Sequence, residues 1–291
     1  MKINQFNLLF KSPVTNMDYS KRSQWAFTLL ELLVVVAIIG ILASLLLSVI
    51  ASSKLKSSTV RCISNFKQLQ AAWLMYTTDF NHLPPNNDQP YAGKSAEFPS
   101  WVAGWLRLDN ETGDKSDSTN VSLLIGKEYA PFGSIGPYTQ SASVYKCALD
   151  RSTVNINGID YPRVRTVAMN SYMNGSGIWQ NSNYVTFRKL VEIPNPANTW
   201  VFIEEREDSI NDGYFAVMVD SKYTIIDVPA NYHNNGVIVS FSDGHVEYHK
   251  WLEATTTPPL IRGVHLSGVP IITSPKDRDL EWLIKRTTIE R

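Results

Sequence analysis

Residues 32–53 contain no Asp, Glu, Lys or Arg, an uncharged run of 22 positions built mainly from Leu, Val, Ile, Ala and Ser. Wound into a helix, such a run is about 33 Å long, enough to cross the hydrocarbon core of a bilayer. The 291-residue chain has no second run of this kind. It therefore reads as one membrane-spanning segment near the N-terminus followed by a region that meets water and is long enough to bury a real core. Charges balance at 27 basic against 27 acidic residues. That balance argues against a nucleic-acid partner, whose phosphates demand a basic surface.

The residues ahead of the run set its orientation. Lys2, Lys11, Lys21 and Arg22 face the single acid Asp18 within residues 1–26. Positive charge there holds the N-terminus in the cytoplasm and sends the downstream chain across. The apolar run is longer than the roughly 7–15 residues of a secretory h-region, so the mature protein is expected to keep it. Glu31 is the odd residue. A carboxylate at the edge of a membrane helix is costly unless it lies at headgroup level or meets a positive group, for which a neighbouring subunit is one source.

The stretch Ala26-Phe27-Thr28-Leu29-Leu30-Glu31, followed by an apolar helix, resembles the processing site of type IV pilins and type II secretion pseudopilins. The resemblance implies a cut by prepilin peptidase between Ala26 and Phe27, N-methylation of the new terminal Phe27, and retention of Glu31 as the fifth mature residue. It also implies that Glu31 neutralises the terminal amine of a neighbouring subunit. The family usually has Gly before the cut, where this chain has Ala26. The implied division is a leader (residues 1–26), a pilin helix (27–80) and a C-terminal globular region (81–291).

Neither Pro nor Gly occurs over residues 41–83. Beyond Ser53 the pattern becomes periodic: Leu55, Thr59, Cys62, Phe66, Leu69, Trp73 and Tyr76 recur at steps of three and four. This predicts a continuous helix over 27–78 whose second half lays one apolar stripe on the globular region. The aromatic stripe reads as packing. Gly40 lies inside the apolar half, where it permits close helix approach or a bend. Asp79-Phe80-Asn81-His82 and the Pro84-Pro85 pair end the helix.

Beyond residue 88 the sequence is turn-rich. A short helix is expected within 118–127, and strands at 145–148 and 164–169. Two hairpins are expected. Residues 199–205 and 214–219 flank an acidic loop. Residues 237–242 and 245–251 flank Asp243-Gly244, which favours a two-residue type I′ turn. That turn places Val237, Val239, Phe241, Val246 and Tyr248 on the face meeting the long helix, with Ser240, Glu247, His245 and His249 on the other. The fold class is α+β, a long N-terminal helix on an antiparallel sheet, which is also the pilin arrangement.

His233, nine intervening residues and then Asp243-Gly244 resemble the C-terminal H-x9-DG motif of prepilin-like proteins from the planctomycete and verrucomicrobial group. Read from geometry, His233 and Asp243 sit at opposite ends of a strand, and His245 and His249 are about 13 Å apart. Neither pair chelates one ion, so Asp243-Gly244 is expected to make the turn and His233 to bond backbone near its strand. The loop over 204–213 is rich in oxygen ligands, and calcium at Asp208, Asn211 and Asp212 is the metal reading it allows; the resemblance to pseudopilins points the same way. The two cysteines, Cys62 and Cys147, permit one disulfide or two buried thiols. No nucleophile elbow, zinc-protease motif or phosphate-cradling glycine loop is present, so the chain is not read as an enzyme, and no cofactor is required.

These features describe a pseudopilin or minor pilin subunit assembled through its helix into a secretion or pilus-like filament. Its expected partners are prepilin peptidase, other pilin subunits, an assembly platform and the inner membrane, with the C-terminal domain in the periplasm. The alternative is an exported, membrane-anchored envelope protein that is processed the same way without polymerising.

Overall fold

The computed structural model describes residues 28–106, 115–221, 223–260, 265–266, 268–274 and 276–291. It divides into two units, Met1–Ile50 and Ala51–Arg291. Helix α1, Leu29–Phe80, is 52 residues long. Its start is set by Thr28 and Glu31. The Thr28 backbone N–H donates to Glu31 Oε2 (2.8 Å), and the Glu31 N–H donates to Thr28 Oγ1 (3.1 Å). This reciprocal capping box satisfies amides that the first helical turn would leave unpaired. At the other end Asn81 turns left-handed (φ 56°) ahead of the proline pair, as the sequence predicts.

In the first unit, the large apolar side chains along α1 from Leu29 to Ile50 are 44–81% exposed. Among the described residues, α1 is the one helix long and apolar enough to cross a membrane.

The second unit is a mixed sheet covered on both faces. Five strands form it: β1 (Val167–Asn170), β2 (Trp200–Glu204), β3 (Tyr214–Phe215), β4 (Gly236–Phe241) and β5 (Val246–Lys250). Their order is β5-β4-β2-β1-β3. The first three pairings are antiparallel and β1–β3 is parallel. The stripe predicted on the helix is the one buried: Cys62, Phe66, Leu69, Trp73 and Tyr76 pack with Val167, Met169, Phe202 and Ile238 of the sheet. The opposite face carries Trp200, Ile203, Val237, Val239 and Phe241. Trp251 and Leu283 cover it, the latter from helix α2 (Arg278–Ile284).

Several local expectations are corrected. Residues 199–205 and 214–219 do not form a hairpin; β2 pairs with β1 and β4, and β3 lies parallel to β1. Residues 145–148 are not a strand: Tyr145 ends a short 3-10 turn, Ala142–Tyr145, and residues 146–148 continue into a bend and turn. The β4–β5 hairpin has a three-residue loop rather than a type I′ turn. Phe241 and His245 close it through backbone bonds (2.9 Å), and Gly244 takes φ 100°. A turn followed by a left-handed glycine is the usual three-residue solution. Val246 therefore opposes Ser240 and Glu247 opposes Val239, one residue away from the I′ register, and a one-residue slip reverses faces. Ile238, Ser240 and Val246 consequently face α1, while Val237, Val239 and Phe241 face the second core.

Ser240 has a specific task on that face. Where the β2–β4 ladder shifts register, the Phe202 N–H donates to Ser240 Oγ (3.1 Å), which donates onward to Gln70 Oε1 of α1 (2.8 Å). A buried polar chain thus crosses the helix–sheet interface at the irregularity.

Trp73 is fully buried on this face and Met75 is 52% exposed. Trp73→Ala should cost about 3–5 kcal/mol, whereas Met75→Ala should stay within roughly 0.5 kcal/mol of the parent. Urea unfolding of the detergent-solubilised chain, followed by circular dichroism, measures both.

Candidate functional site

The residues read as a processing signal sit at the start of α1. Ala26 and Phe27 lie outside the described residues. Glu31 is in the first helical turn, with Oε2 also accepting from Thr28 Oγ1 (2.9 Å). The carboxylate is thus held where the helix begins. Gly40 faces open space, since a Cβ there would meet nothing within 4 Å. A helix surface this apolar is unfavourable in water at about 25 cal/mol per Å². It calls for lipid or for other helices.

A second constellation lies inside the globular unit. Cys62 from α1, Cys147 from the loop after the 3-10 turn, Glu204 at the end of β2 and His233 ahead of β4 place one ligand atom each within 4.8 Å of one another, all buried. Cys62 Sγ and Cys147 Sγ are 3.4 Å apart, and both thiols are free. His233 Nε2 lies 3.3 Å from Cys147 Sγ and 3.0 Å from Glu204 Oε1. The outer sides of these groups are also engaged. Ala148 N–H donates to Cys62 Sγ (3.2 Å) and Leu149 N–H to Cys147 Sγ (3.4 Å). Ile238 N–H donates to Glu204 Oε2 (3.0 Å). His233 Nδ1 is 3.0 Å from Thr59 Oγ1, which gives its own proton to the Leu55 carbonyl (3.0 Å). Thr59 therefore accepts from the ring, and Nε2 is turned inward.

Electrostatics follow from this crowding. Hydrogen bonding from Cys147 outweighs burial and brings Cys62 down to about 6. Burial works against a charged His233 ring, but its hydrogen bonds to Cys62 and Glu204 overcome it and raise the ring to about 9. Without a metal, protons hold the four groups together.

His233 was expected to bond backbone. Its N–H does donate to the Gly236 carbonyl (3.2 Å), yet its ring serves the cluster. Asp243, His245 and His249, the partners weighed for His233 from the sequence, are not among the cluster's residues. Cys62 lies in the helix stripe, where a small buried residue is ordinary, and Glu204 ends a strand. Asp243 lies in the three-residue turn, where its Oδ1 accepts from the His245 N–H (3.0 Å) and contacts the His245 ring (2.6 Å) beside Gly244. His245 stacks on Phe241 and His249 on Trp282, with centroids at 4.3 and 3.8 Å. Of the two histidines expected toward solvent or a partner, His245 is exposed and His249 is half-buried under Trp282.

The acidic loop is buried rather than hydrated, because arginines hold it. Arg163 donates to the carbonyls of Glu207 (2.6 Å), Leu106 (2.9 Å) and Ile210 (3.3 Å), and Arg165 to those of Val167 (3.0 Å) and Asp212 (2.6 Å). The calcium candidates are held by protein groups. Arg206 grips both Asp208 oxygens (2.6 and 2.8 Å), Asn211 Nδ2 donates to Asp212 Oδ2 (3.1 Å), and Asp212 Oδ1 accepts from Tyr214 N–H (2.7 Å). Asp227 lines the same pocket as Asp88, Asp212 and Trp179. Its Oδ2 accepts from Ala216 N–H (2.6 Å).

Burial raises Asp227 to about 7. The folded state then keeps a proton that the unfolded chain releases near its ordinary carboxylate value. Stability from this group is greatest at low pH and is lost as pH rises toward 7. Asp227→Asn keeps an acceptor for Ala216 and removes that loss. The variant should melt with the parent near pH 4 and roughly 4 °C or more above it at pH 8, as read by differential scanning fluorimetry in detergent.

Comparison with known proteins locates the relationship in the N-terminal helix. The family described as the prokaryotic N-terminal methylation motif matches residues 21–47. Type II secretion system core protein G of Escherichia coli (strain K12) is 41% identical over 64 residues, covering 22% of this chain and 44% of that relative. The protein of the same name from Aeromonas hydrophila is 42% identical over 64 residues, covering 22% and 45%. The chain thus spans less than half the length of the curated relatives it matches. No solved structure matches it. The apolar helix, with Glu31 in its first turn, is thus similar to the N-terminal segment of these secretion-system proteins and carries the methylation motif that the family model describes.

Proposed function

We propose that the chain is a pseudopilin or minor pilin subunit that assembles through its N-terminal helix into a secretion or pilus-like filament. The observation that carries this reading is the fully exposed apolar half of α1 with a single carboxylate in its first turn. Cleavage before Phe27 by prepilin peptidase would create a terminal amine four residues ahead of Glu31. In one chain Glu31 accepts from Thr28; in a bundle it also meets the amine of an adjacent subunit, and that pairing sets the stagger between helices. The apolar side chains then exchange lipid for one another, and Gly40 leaves room for close approach. The C-terminal domain faces the periplasm, with one span in the inner membrane, and an assembly platform and other pilin subunits are its partners.

The matched relatives are named as secretion-system core proteins, which favours a secretion filament over a surface pilus. Mass spectrometry of membrane-extracted protein should find a mature chain starting at N-methylated Phe27. Glu31→Ala should remain processed and membrane-bound but lose the oligomers that an amine-reactive crosslinker captures in the parent. A variant that still crosslinks overturns the role given to Glu31. A parent chain that is processed and never self-associates favours the non-polymerising anchored protein.

For cofactors, the bonds that Asp208 and Asp212 already accept from Arg206, Asn211 and the Tyr214 amide support a reading in which the loop needs no ion. Calcium titration of the parent should leave its melting temperature unmoved, and a calcium-dependent rise abolished by Asp212→Asn would restore calcium to that loop.

A further inference from the structure

We infer that Cys62, Cys147, Glu204 and His233 form a structural metal site of the tetrahedral zinc class, which clamps the amphipathic half of α1 to the sheet. Three observations converge on it. First, the spacing suits one ion. Zinc with sulfur at about 2.3 Å and nitrogen or oxygen at about 2.0–2.2 Å sets neighbouring ligands roughly 3.3–3.8 Å apart in a tetrahedron. The Cys62–Cys147 and Cys147–His233 pairs stand at 3.4 and 3.3 Å, inside that range, and the His233–Glu204 pair at 3.0 Å is a hydrogen-bond distance that an ion would widen by about 0.3 Å. All four ligand atoms fall within 4.8 Å of one another.

Second, the groups around the ligands hold them in metal-binding form. Thr59 spends its own hydrogen on Leu55, so its oxygen accepts from His233 Nδ1 and leaves Nε2 for the ion. Glu204 is oriented by the Ile238 amide. Each sulfur receives a backbone N–H, from Ala148 and Leu149. Amides pointed at both sulfurs stabilise thiolate charge, and outer hydrogen bonds of this kind are what fix metal ligands in place.

Third, a disulfide would engage only two of the four groups. Joining Cys62 to Cys147 would use both sulfurs while still holding a carboxylate oxygen and a ring nitrogen 3.0 Å apart in a buried site. An ion serves all four ligands together. Binding takes the sulfurs as thiolates and His233 Nε2 unprotonated, and any protons on them leave to solvent. No electron is transferred. Because the ligands come from α1, a loop and two strand ends, the ion ties the stalk helix to the sheet at the point where the apolar stripe begins.

The experiment uses the full chain, extracted in detergent from its native membrane without chelators. Elemental analysis should find zinc at one ion per chain, and peptide mapping under non-reducing conditions should find both cysteines alkylatable after denaturation. Replacing zinc by cobalt should produce the intense visible bands of a tetrahedral thiolate site. Cys62→Ser and His233→Gln should lose them, while His249→Gln, a histidine outside the cluster, should keep them. Chelation of the parent chain should lower its melting temperature and zinc alone should restore it, a test that does not depend on any variant folding. A Cys62–Cys147 disulfide in the isolated chain overturns the inference, as does a chain that holds no metal and binds no added zinc.

Discussion

The fold of the globular unit depends on one contact, the apolar stripe of α1 laid across the sheet. Leu69, Trp73 and Phe66 are almost completely removed from water there. The sheet residues that receive them come from three strands distant in sequence. Burial of this kind is nondirectional, so it holds the helix down without saying where along the sheet it should stop. Directional bonds supply that. The Phe202–Ser240–Gln70 chain joins the two layers at a ladder irregularity, and Thr59 and Cys62 meet His233 and Cys147 further up the helix. Buried polar groups penalise any register that leaves them unpaired, and they lie along the same helix face as the apolar stripe.

The same helix faces two solvents. Its first half has no charge beyond Glu31 until Lys54, and its side chains are exposed in the isolated chain. Its second half alternates buried and exposed residues with helical period. Neither half interrupts the helix, because no proline occurs in it and Gly40 is its single glycine. One uninterrupted element is therefore long and apolar enough to cross a membrane in its first half and supplies a core face to a globular domain in its second.

The acidic loop shows how far charge in a sequence can mislead about exposure. Glu204, Glu205, Asp208 and Asp212 are buried, although a run of acids ordinarily stays in water. Arg163, Arg165 and Arg206 make the difference, since guanidinium groups carry several donors that can cap carbonyls and carboxylates in one place. Arg163 and Arg165 come from the segment just before β1 and reach the loop across some forty to fifty residues of chain. Only packing brings them into range.

What the sequence determined by itself was local and periodic. The uncharged run, the helix stripe, the Asn81–Pro84 stop, the Phe27–Glu31 signal and the α+β class all depend on neighbours within one or two helical turns, or on bulk hydrophobicity. What the tertiary structure decided was pairing. The β4–β5 face was misread because all six residues of β4 are buried; with both faces covered, alternation no longer marks the inside. The parallel β1–β3 pair and the loss of the expected hairpin rest on contacts between segments with no shared pattern. The Cys62–Cys147–Glu204–His233 cluster joins residues 85, 86 and 29 positions apart. Spacing carries no signal at such separations, and the four ligands meet only because the stripe on α1 and the order of the strands bring their backbones together.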